Sequence, residues 1–129
     1  MSVKDFVQQR RDALIAMRRD FHMYPEPAWL EYRSAAKVAD RLISLGYDVA
    51  LGADVLDLDS RMGLPSDEVM KAAMDRAIKE GANPELVEKM GYGKTAIVAT
   101  MKFGGEGPVV AFRVDMDSND VIEAKEDSH

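Results

Sequence analysis

Apolar residues between positions 3 and 23 recur at the spacing of one helical face and predict an amphipathic helix. They are Val7, Leu14, Met17 and Phe21. Pro25 and Pro27 follow. We expect them to end the helix, because proline lacks a backbone donor and disfavours helix in the residue before it.

A second helix is predicted over residues 30 to 45. Its apolar stripe consists of Ala35, Val38, Ala39, Leu42 and Leu45. Gly46 then suits a left-handed C-terminal cap, and residues 47 to 51 have the composition of a short strand. A helix, a glycine and a strand in this order are typical of α/β folds.

Residues 66 to 90 predict a helical insertion that follows a loop. Ser66 is placed to cap a helix that Gly81 ends. Asn83 followed by Pro84 is the start signal of a second, shorter helix. The insertion therefore separates the first strand from the next β pattern.

Residues 95 to 115 carry the clearest β pattern in the chain. Two runs rich in β-branched and apolar residues, 95 to 103 and 108 to 115, are separated by the glycine-rich residues 104 to 107. This arrangement predicts a hairpin. Both faces of the second run begin apolar, so we expect it to lie in a sheet that is covered on both sides.

Composition restricts the classes of function. The chain has 129 residues, 47% hydrophobic and 31% charged, which is the balance of one globular domain. A net charge of −6 argues against nucleic-acid binding. No apolar run approaches the roughly 20 residues of a membrane span. The charged N-terminus lacks a secretory signal, and the absence of cysteine suits a reducing compartment, so we expect a cytoplasmic protein.

Asp115 and Asp117 lie at the carboxyl end of the second β run, where α/β sheets place their ligand crevice. Carboxylates two residues apart in a strand share a face, so one is able to orient a metal ligand while the other holds a second group. The alternative is structural: Arg113 pairs with Asp115, while Asp117 and Asp120 cap turns. The spacing alone leaves both interpretations open.

The two histidines are too few for a self-contained two-metal site. His22 falls at the end of the first predicted helix, where an imidazolium favours the unpaired carbonyls and the negative end of the dipole. His129 is the last residue. We therefore find no complete catalytic set in this sequence.

Four stretches, in order, resemble the N-terminal part of the M20 metallopeptidases, in their amidohydrolase branch. They are RRDFHMYPEPAWLEYRSA, LGYDVALG, TAIVATM and GPVVAFRVDMD. The most specific elements are R-x-x-H-x-x-P-E, met by Arg19, His22, Pro25 and Glu26, and R-x-D-M-D at residues 113 to 117. The resemblance covers nearly the whole chain.

The resemblance implies an α/β fold: the N-terminal portion of a Zn-exopeptidase-like (phosphorylase/hydrolase-like) catalytic domain, with helices packed on a sheet that contains the hairpin. The rest of that domain and a dimerisation domain would lie outside residues 1 to 129. It also implies hydrolysis of an amide between an aromatic amine or acyl group and an amino acid. In this family two divalent ions, zinc or manganese, activate the attacking water, and a glutamate acts as general base.

The family's main metal ligands lie in stretches that this sequence does not contain, so we expect no metal ligand and no bound metal in the chain. By resemblance, Asp115 and Asp117 border the metal centre and orient its ligand histidines. Glu123 matches a recurrent glutamate after that motif, and His129 begins the approach to the metal-binding stretch. Both are candidate substrate-side residues. Ser118 and Asn119 replace the common Ala-Leu.

Three functions follow from these expectations. The first is the N-terminal part of a metal-dependent amidohydrolase, inactive alone. By resemblance alone, the insertion at 52 to 91 favours p-aminobenzoyl-glutamate as its substrate over N-acyl or auxin-type conjugates, which are the second possibility. The third is a non-catalytic interaction module. Partners would be a small-molecule substrate and a homologous second subunit or a second copy, and the open edge of the hairpin predicts self-association.

Overall fold

The computed structural model describes residues 2–122 and divides the chain into two units. One comprises the segments before Glu26 and after Ser118, and the other comprises Glu26–Ser118. Of the described residues, none belongs to a helix that is long and apolar enough to cross a membrane.

The first unit contains two helices, α1 (Val3–Gln9) and α2 (Arg11–Met23). The prediction of one helix over 3 to 23 is therefore wrong at Arg10. The N–H of Arg10 bonds to the Val7 carbonyl, three residues back, and its guanidinium lies 3.7 Å from the centroid of the Phe6 ring. This tight turn interrupts the helix, while the predicted end before Pro25 is confirmed. Neither helix buries a residue.

The second unit contains three α-helices, two strands and two short 3-10 helices. In order, the α-helices and strands are α3 (Tyr32–Ser44), β1 (Asp48–Leu51), α4 (Asp67–Lys79), α5 (Pro84–Met90) and β2 (Ile97–Thr100), and the 3-10 helices, Gly52–Asp54 and Leu58–Ser60, lie between β1 and α4. The predicted caps are confirmed. The side chains of Ser66 and Asn83 accept hydrogen bonds from the first turns of α4 and α5, and Gly46 and Gly81 have positive φ angles.

Strands β1 and β2 form a two-stranded antiparallel sheet in which Asp48 pairs with Thr100 and Leu51 with Ile97. Helix α3 packs against β1, α4 and α5, so the insertion completes the core. The buried cluster combines small residues of α3 and α4 with larger residues around them: Tyr32, Ala35, Ala36, Ala39, Leu51, Ala73, Ala77, Ala82, Val87 and Met90. Of the predicted α3 stripe, Ala35 and Ala39 are fully buried and Leu45 is 50% exposed.

The predicted hairpin over 95 to 115 is wrong. Strand β2 pairs with β1, and residues 108–115 form no strand within the described part of the chain. Val109 and Phe112 are 97% and 91% exposed, so this run is not covered on either face as we expected. The physical reason is that a strand forms only where its backbone N–H and C=O groups find a partner. The short glycine-rich loop suggested that β2 would pair with residues 108–115, but β2 pairs with β1 instead.

The insertion is fixed to the core by polar contacts at Gly93. Its N–H donates to the buried Tyr32 hydroxyl at 2.9 Å, and its carbonyl accepts from the Arg61 guanidinium at 3.2 Å. Arg61 also donates to the carbonyl of Tyr92 at 3.1 Å. These bonds connect the loop before α4, the loop after α5 and the first turn of α3.

Candidate functional site

Glu26, the acidic residue of the R-x-x-H-x-x-P-E motif, caps helix α3. Its Oε1 accepts from the Arg33 N–H at 2.8 Å and its Oε2 from the Ser34 N–H at 2.7 Å. These are two of the first-turn donors that lack a partner inside a helix, and a carboxylate there also favours the positive end of the helix dipole. Glu26 is 2% exposed. Burial raises the pKa of the Glu26 carboxyl, against the backbone bonds from Ser34 and Arg33 that lower it.

The backbone of Glu26 also holds in place residues 113 to 117, the R-x-D-M-D motif, which we call the acidic segment. Its N–H donates to Ser118 Oγ at 3.1 Å, and its carbonyl accepts from the Ser118 N–H at 2.9 Å. Ser118 directly follows Asp117, so one residue connects the first turn of α3 to the R-x-D-M-D motif. The hydroxyl of Ser118 is thus part of this connection.

A cavity of about 370 Å³ lies beside this connection. Three segments form its wall: the loop before α3, the start of β2 and the acidic segment. The lining residues are Ala28, Trp29, Glu31, Thr95, Ala96, Ile97, Val114, Asp115, Met116 and Asp117. The fold therefore brings Asp115 and Asp117 together with Glu31 and Trp29, neither of which was predicted as a site residue from the sequence.

The carboxylates of the cavity differ in their partners. Asp115 pairs with Arg113 at 2.7 Å, which is the ion pair that the structural interpretation predicts. Glu31 accepts from the buried Thr95 hydroxyl at 2.8 Å. Asp117 makes no hydrogen bond or ion pair within residues 2–122, so the turn-capping role proposed for it is not observed there.

Trp29 is held in an unusual backbone conformation at the cavity wall. Its φ angle of 68° is the one positive φ of a non-glycine residue in the described chain. The indole Nε1–H donates to the Met62 carbonyl at 3.0 Å. Since this bond ties the ring edge to the loop before α4, the insertion positions one wall of the cavity.

The other predicted site residues do not join this group. Glu123 and His129 lie outside the described residues. His22 lies in the last turn of α2, as predicted. Among residues 2–122, no three histidine, aspartate or glutamate side chains are grouped closely enough to hold a metal ion.

The chain is similar to bacterial hydrolases over almost its whole length, although it matches no protein-family model. It is 44% identical to a subunit of the p-aminobenzoyl-glutamate hydrolase of Escherichia coli over 99% of the chain. It is 42% identical to indole-3-acetyl-aspartic acid hydrolase of Enterobacter agglomerans over 98% of the chain. In both cases it spans 29% of the relative's length.

A solved structure supports the same relationship. The aminobenzoyl-glutamate utilization protein from Klebsiella pneumoniae matches 93% of the chain with a TM-score of 0.88 and 45% identity, and the match covers 30% of that protein. The chain is therefore a homologue of amidohydrolases and has the α/β fold of the matching region. In particular, it corresponds to somewhat less than a third of hydrolases of the aminobenzoyl-glutamate and indole-3-acetyl-aspartate type, which confirms the resemblance found in the motifs.

Proposed function

We propose that the chain is part of a metal-dependent amidohydrolase of the M20 type. Its substrate would be p-aminobenzoyl-glutamate or a similar conjugate of an aryl or acyl group with an amino acid, and it would act in the cytoplasm. The observation that carries the proposal is 42–45% identity over nearly the whole chain to proteins named for such conjugates. Identity at this level over a matching fold makes a shared chemistry the simplest explanation.

Two divalent ions, zinc or manganese, would belong to the whole enzyme. The described residues do not fit such a pair by themselves, because residues 2–122 contain no group of three suitable ligands. We therefore assign the ligands to polypeptide beyond these residues and propose that the chain alone is inactive.

This chain would contribute one side of the active site, in which carboxylates are already held in position. Asp117 faces the cavity with its acceptor oxygens unused by residues 2–122, while Asp115 is oriented by Arg113. Carboxylates of this kind orient metal-binding histidines by accepting their second N–H. Glu26 and Ser118 would hold this acidic segment at the start of α3, which makes them positioning residues.

A chimera tests this proposal. The 128-residue matching segment of the Escherichia coli hydrolase is replaced by this chain, and the remainder of that enzyme is left intact. We expect the chimera to release p-aminobenzoate from p-aminobenzoyl-glutamate. Asp117→Ala should lower its kcat by about 10- to 100-fold, the usual effect of removing a partner of a metal ligand.

Glu106→Gln provides the matched control, since Glu106 is an exposed acidic residue in the glycine-rich turn, away from the cavity. It should leave the rate unchanged. A folded chimera without activity, or equal losses from both substitutions, would contradict the assignment.

One observation favours a second function, that of a non-catalytic interaction module. Residues 108–115 have strand-forming side chains but no strand partner in the described chain, and Val110, Phe112 and Val114 are 70–91% exposed. Such a run pairs readily with another polypeptide. Its partner would be a second copy of this chain or a homologous second subunit, since the Escherichia coli relative is named as one subunit of its hydrolase.

A further inference from the structure

The cavity beside α3 combines an aromatic wall, apolar side chains and negative charge. Its volume of about 370 Å³ lies within the range of small-molecule sites, about 300–1,000 Å³. Ile97 and Val114 supply apolar surface in addition to the indole of Trp29, and Glu31, Asp115 and Asp117 supply carboxylates. These features are all contained in the unit Glu26–Ser118.

The ring of Trp29 is oriented before any ligand arrives. Its Nε1–H is already used by the Met62 carbonyl, so the indole has no free N–H to offer a ligand. A left-handed φ of 68° costs free energy for tryptophan and persists only where the surroundings enforce it. An indole that lines a cavity and is fixed in this way is suited to packing against a second aromatic ring.

The negative charge of the cavity favours the aromatic half of such a conjugate over its acidic amino-acid half. Three carboxylates line it, and only Asp115 has a cationic partner, Arg113, among the residues that the structure describes. The conjugates named for the relatives join an aromatic group to glutamate or aspartate. The acidic amino-acid half would be repelled by Glu31 and Asp117, whereas the aromatic half is uncharged.

We infer that this cavity is the subsite for the aromatic half of the conjugate, with the ring against Trp29 and the amino-acid half directed away from it. The inference rests on the proposed function. It adds an orientation of the substrate and names Trp29 as a residue that determines specificity. The ring would be of the aminobenzoyl or indole type, and its N–H would donate to Asp117.

The single tryptophan of the chain makes a direct test possible, since the amide spectrum contains one indole N–H signal. The ¹⁵N-labelled chain is titrated at neutral pH with 4-aminobenzamide and with indole-3-acetamide, which represent the aromatic half without the amino acid. N-acetylglutamate represents the other half. We expect a saturable shift of the Trp29 signal by both aromatic amides with Kd values of about 1–10 mM, as for fragments of this size. N-acetylglutamate should bind at least about tenfold more weakly.

Two variants separate recognition from folding. Trp29→Gly accepts the positive φ without strain, and ligand-observed saturation transfer should show that both aromatic amides have lost about tenfold or more in affinity. Asp117→Asn should strengthen N-acetylglutamate binding about two- to fivefold by removing a repelling charge. Glu106→Gln, outside the cavity, should change neither affinity.

Three results would overturn the inference: no shift of the Trp29 signal by the aromatic amides, equal binding of N-acetylglutamate by the unmodified chain, or retention of aromatic binding by Trp29→Gly. Its failure is distinguishable from failure of the proposed function. If the chimera is active but the Trp29 signal of the chain does not shift with aromatic amides, the subsite is contradicted and the hydrolase assignment stands. If the chain binds aromatic amides but the chimera is inactive, the hydrolase assignment is contradicted and aromatic binding by the cavity stands.

Discussion

At the scale of single residues, Glu26 fixes both the start of α3 and the position of Ser118. One carboxylate satisfies two helix donors, and the backbone of the same residue holds Ser118. Sequence patterns identified the caps at Ser66 and Asn83, because those side chains lie within three residues of the N–H groups that they bind. Glu26 lies seven and eight residues before its donors and 92 before Ser118, which no local pattern indicates.

Glu26→Gln should lower the free energy of unfolding by about 1–3 kcal/mol, because a carboxyl presents two oxygens to the two buried N–H groups in either protonation state, whereas an amide presents one oxygen and an NH₂ group that cannot accept. The effect should depend on pH. A carboxyl whose pKa is higher in the folded state binds its proton more tightly there, so its contribution is fully present below the ordinary glutamate pKa. That contribution falls as the pH rises through the raised pKa.

The difference in the free energy of unfolding between wild type and Glu26→Gln should therefore decrease as the pH rises. Urea denaturation at a series of pH values, followed by circular dichroism, measures it. Glu106→Gln is the control and should show no such gap. A gap that widens as the pH rises would contradict the raised pKa.

At the scale of elements, the sequence predicted the helices well and the sheet poorly. Helices α3, α4 and α5 follow local periodicity and local caps, and they begin and end within two residues of the predicted positions. The pairing of β2 is not local. Its partner β1 lies 46 residues earlier across Leu51 and Ile97, whereas the glycine-rich turn favoured the run that follows. The hydrogen bond from Trp29 to Met62 joins residues 33 apart, so the sequence pattern predicted neither this bond nor the cavity wall that it fixes.

The contact of the insertion with the core provides a test at this scale. Gly93 has a φ of +60°, and a Cβ there would lie 2.6 Å from Leu64 Cδ2 and 3.2 Å from the Met70 sulfur. Gly93→Ala should therefore cost the left-handed penalty of about 1–2 kcal/mol and a further cost of repacking. Gly63→Ala is the matched control, because Gly63 has a φ of +69° with nothing within 4 Å of the added atom.

Thermal unfolding of the two variants measures the difference. Gly93→Ala should melt at a clearly lower temperature than Gly63→Ala. Equal melting temperatures would show that the loop of Arg61 and Leu64 does not pack against Gly93 as described.

At the scale of the whole molecule, the exposed segment 108–115 is the main departure from a closed fold. Its side chains have the pattern of a covered strand, but Val109, Phe112 and Val114 lie in solvent. The relatives are more than three times as long as this chain. Sequence motifs predicted the relationship to hydrolases, because a motif depends on residue identity rather than on strand pairing.

We expect the isolated chain to self-associate through this segment, although not as the hairpin that the sequence predicted. Static light scattering over a range of concentrations should show a mass that rises above 14.3 kDa. Phe112→Lys should return the chain to the monomer, because a charge opposes pairing of strand edges. Val3→Lys, at an 82% exposed position of α1, should not. A monomer at every concentration would contradict the prediction.

The mutual bonds of Glu26 and Ser118 have a topological consequence. Because the first and last residues of their unit exchange two hydrogen bonds, 3.1 and 2.9 Å long, the chain enters and leaves that unit at one point. The backbone of the unit therefore forms a loop that these two hydrogen bonds close. Its natural ends can be joined by a short peptide, and it can be opened instead at the exposed Gly104–Gly105, with every contact of the cavity kept.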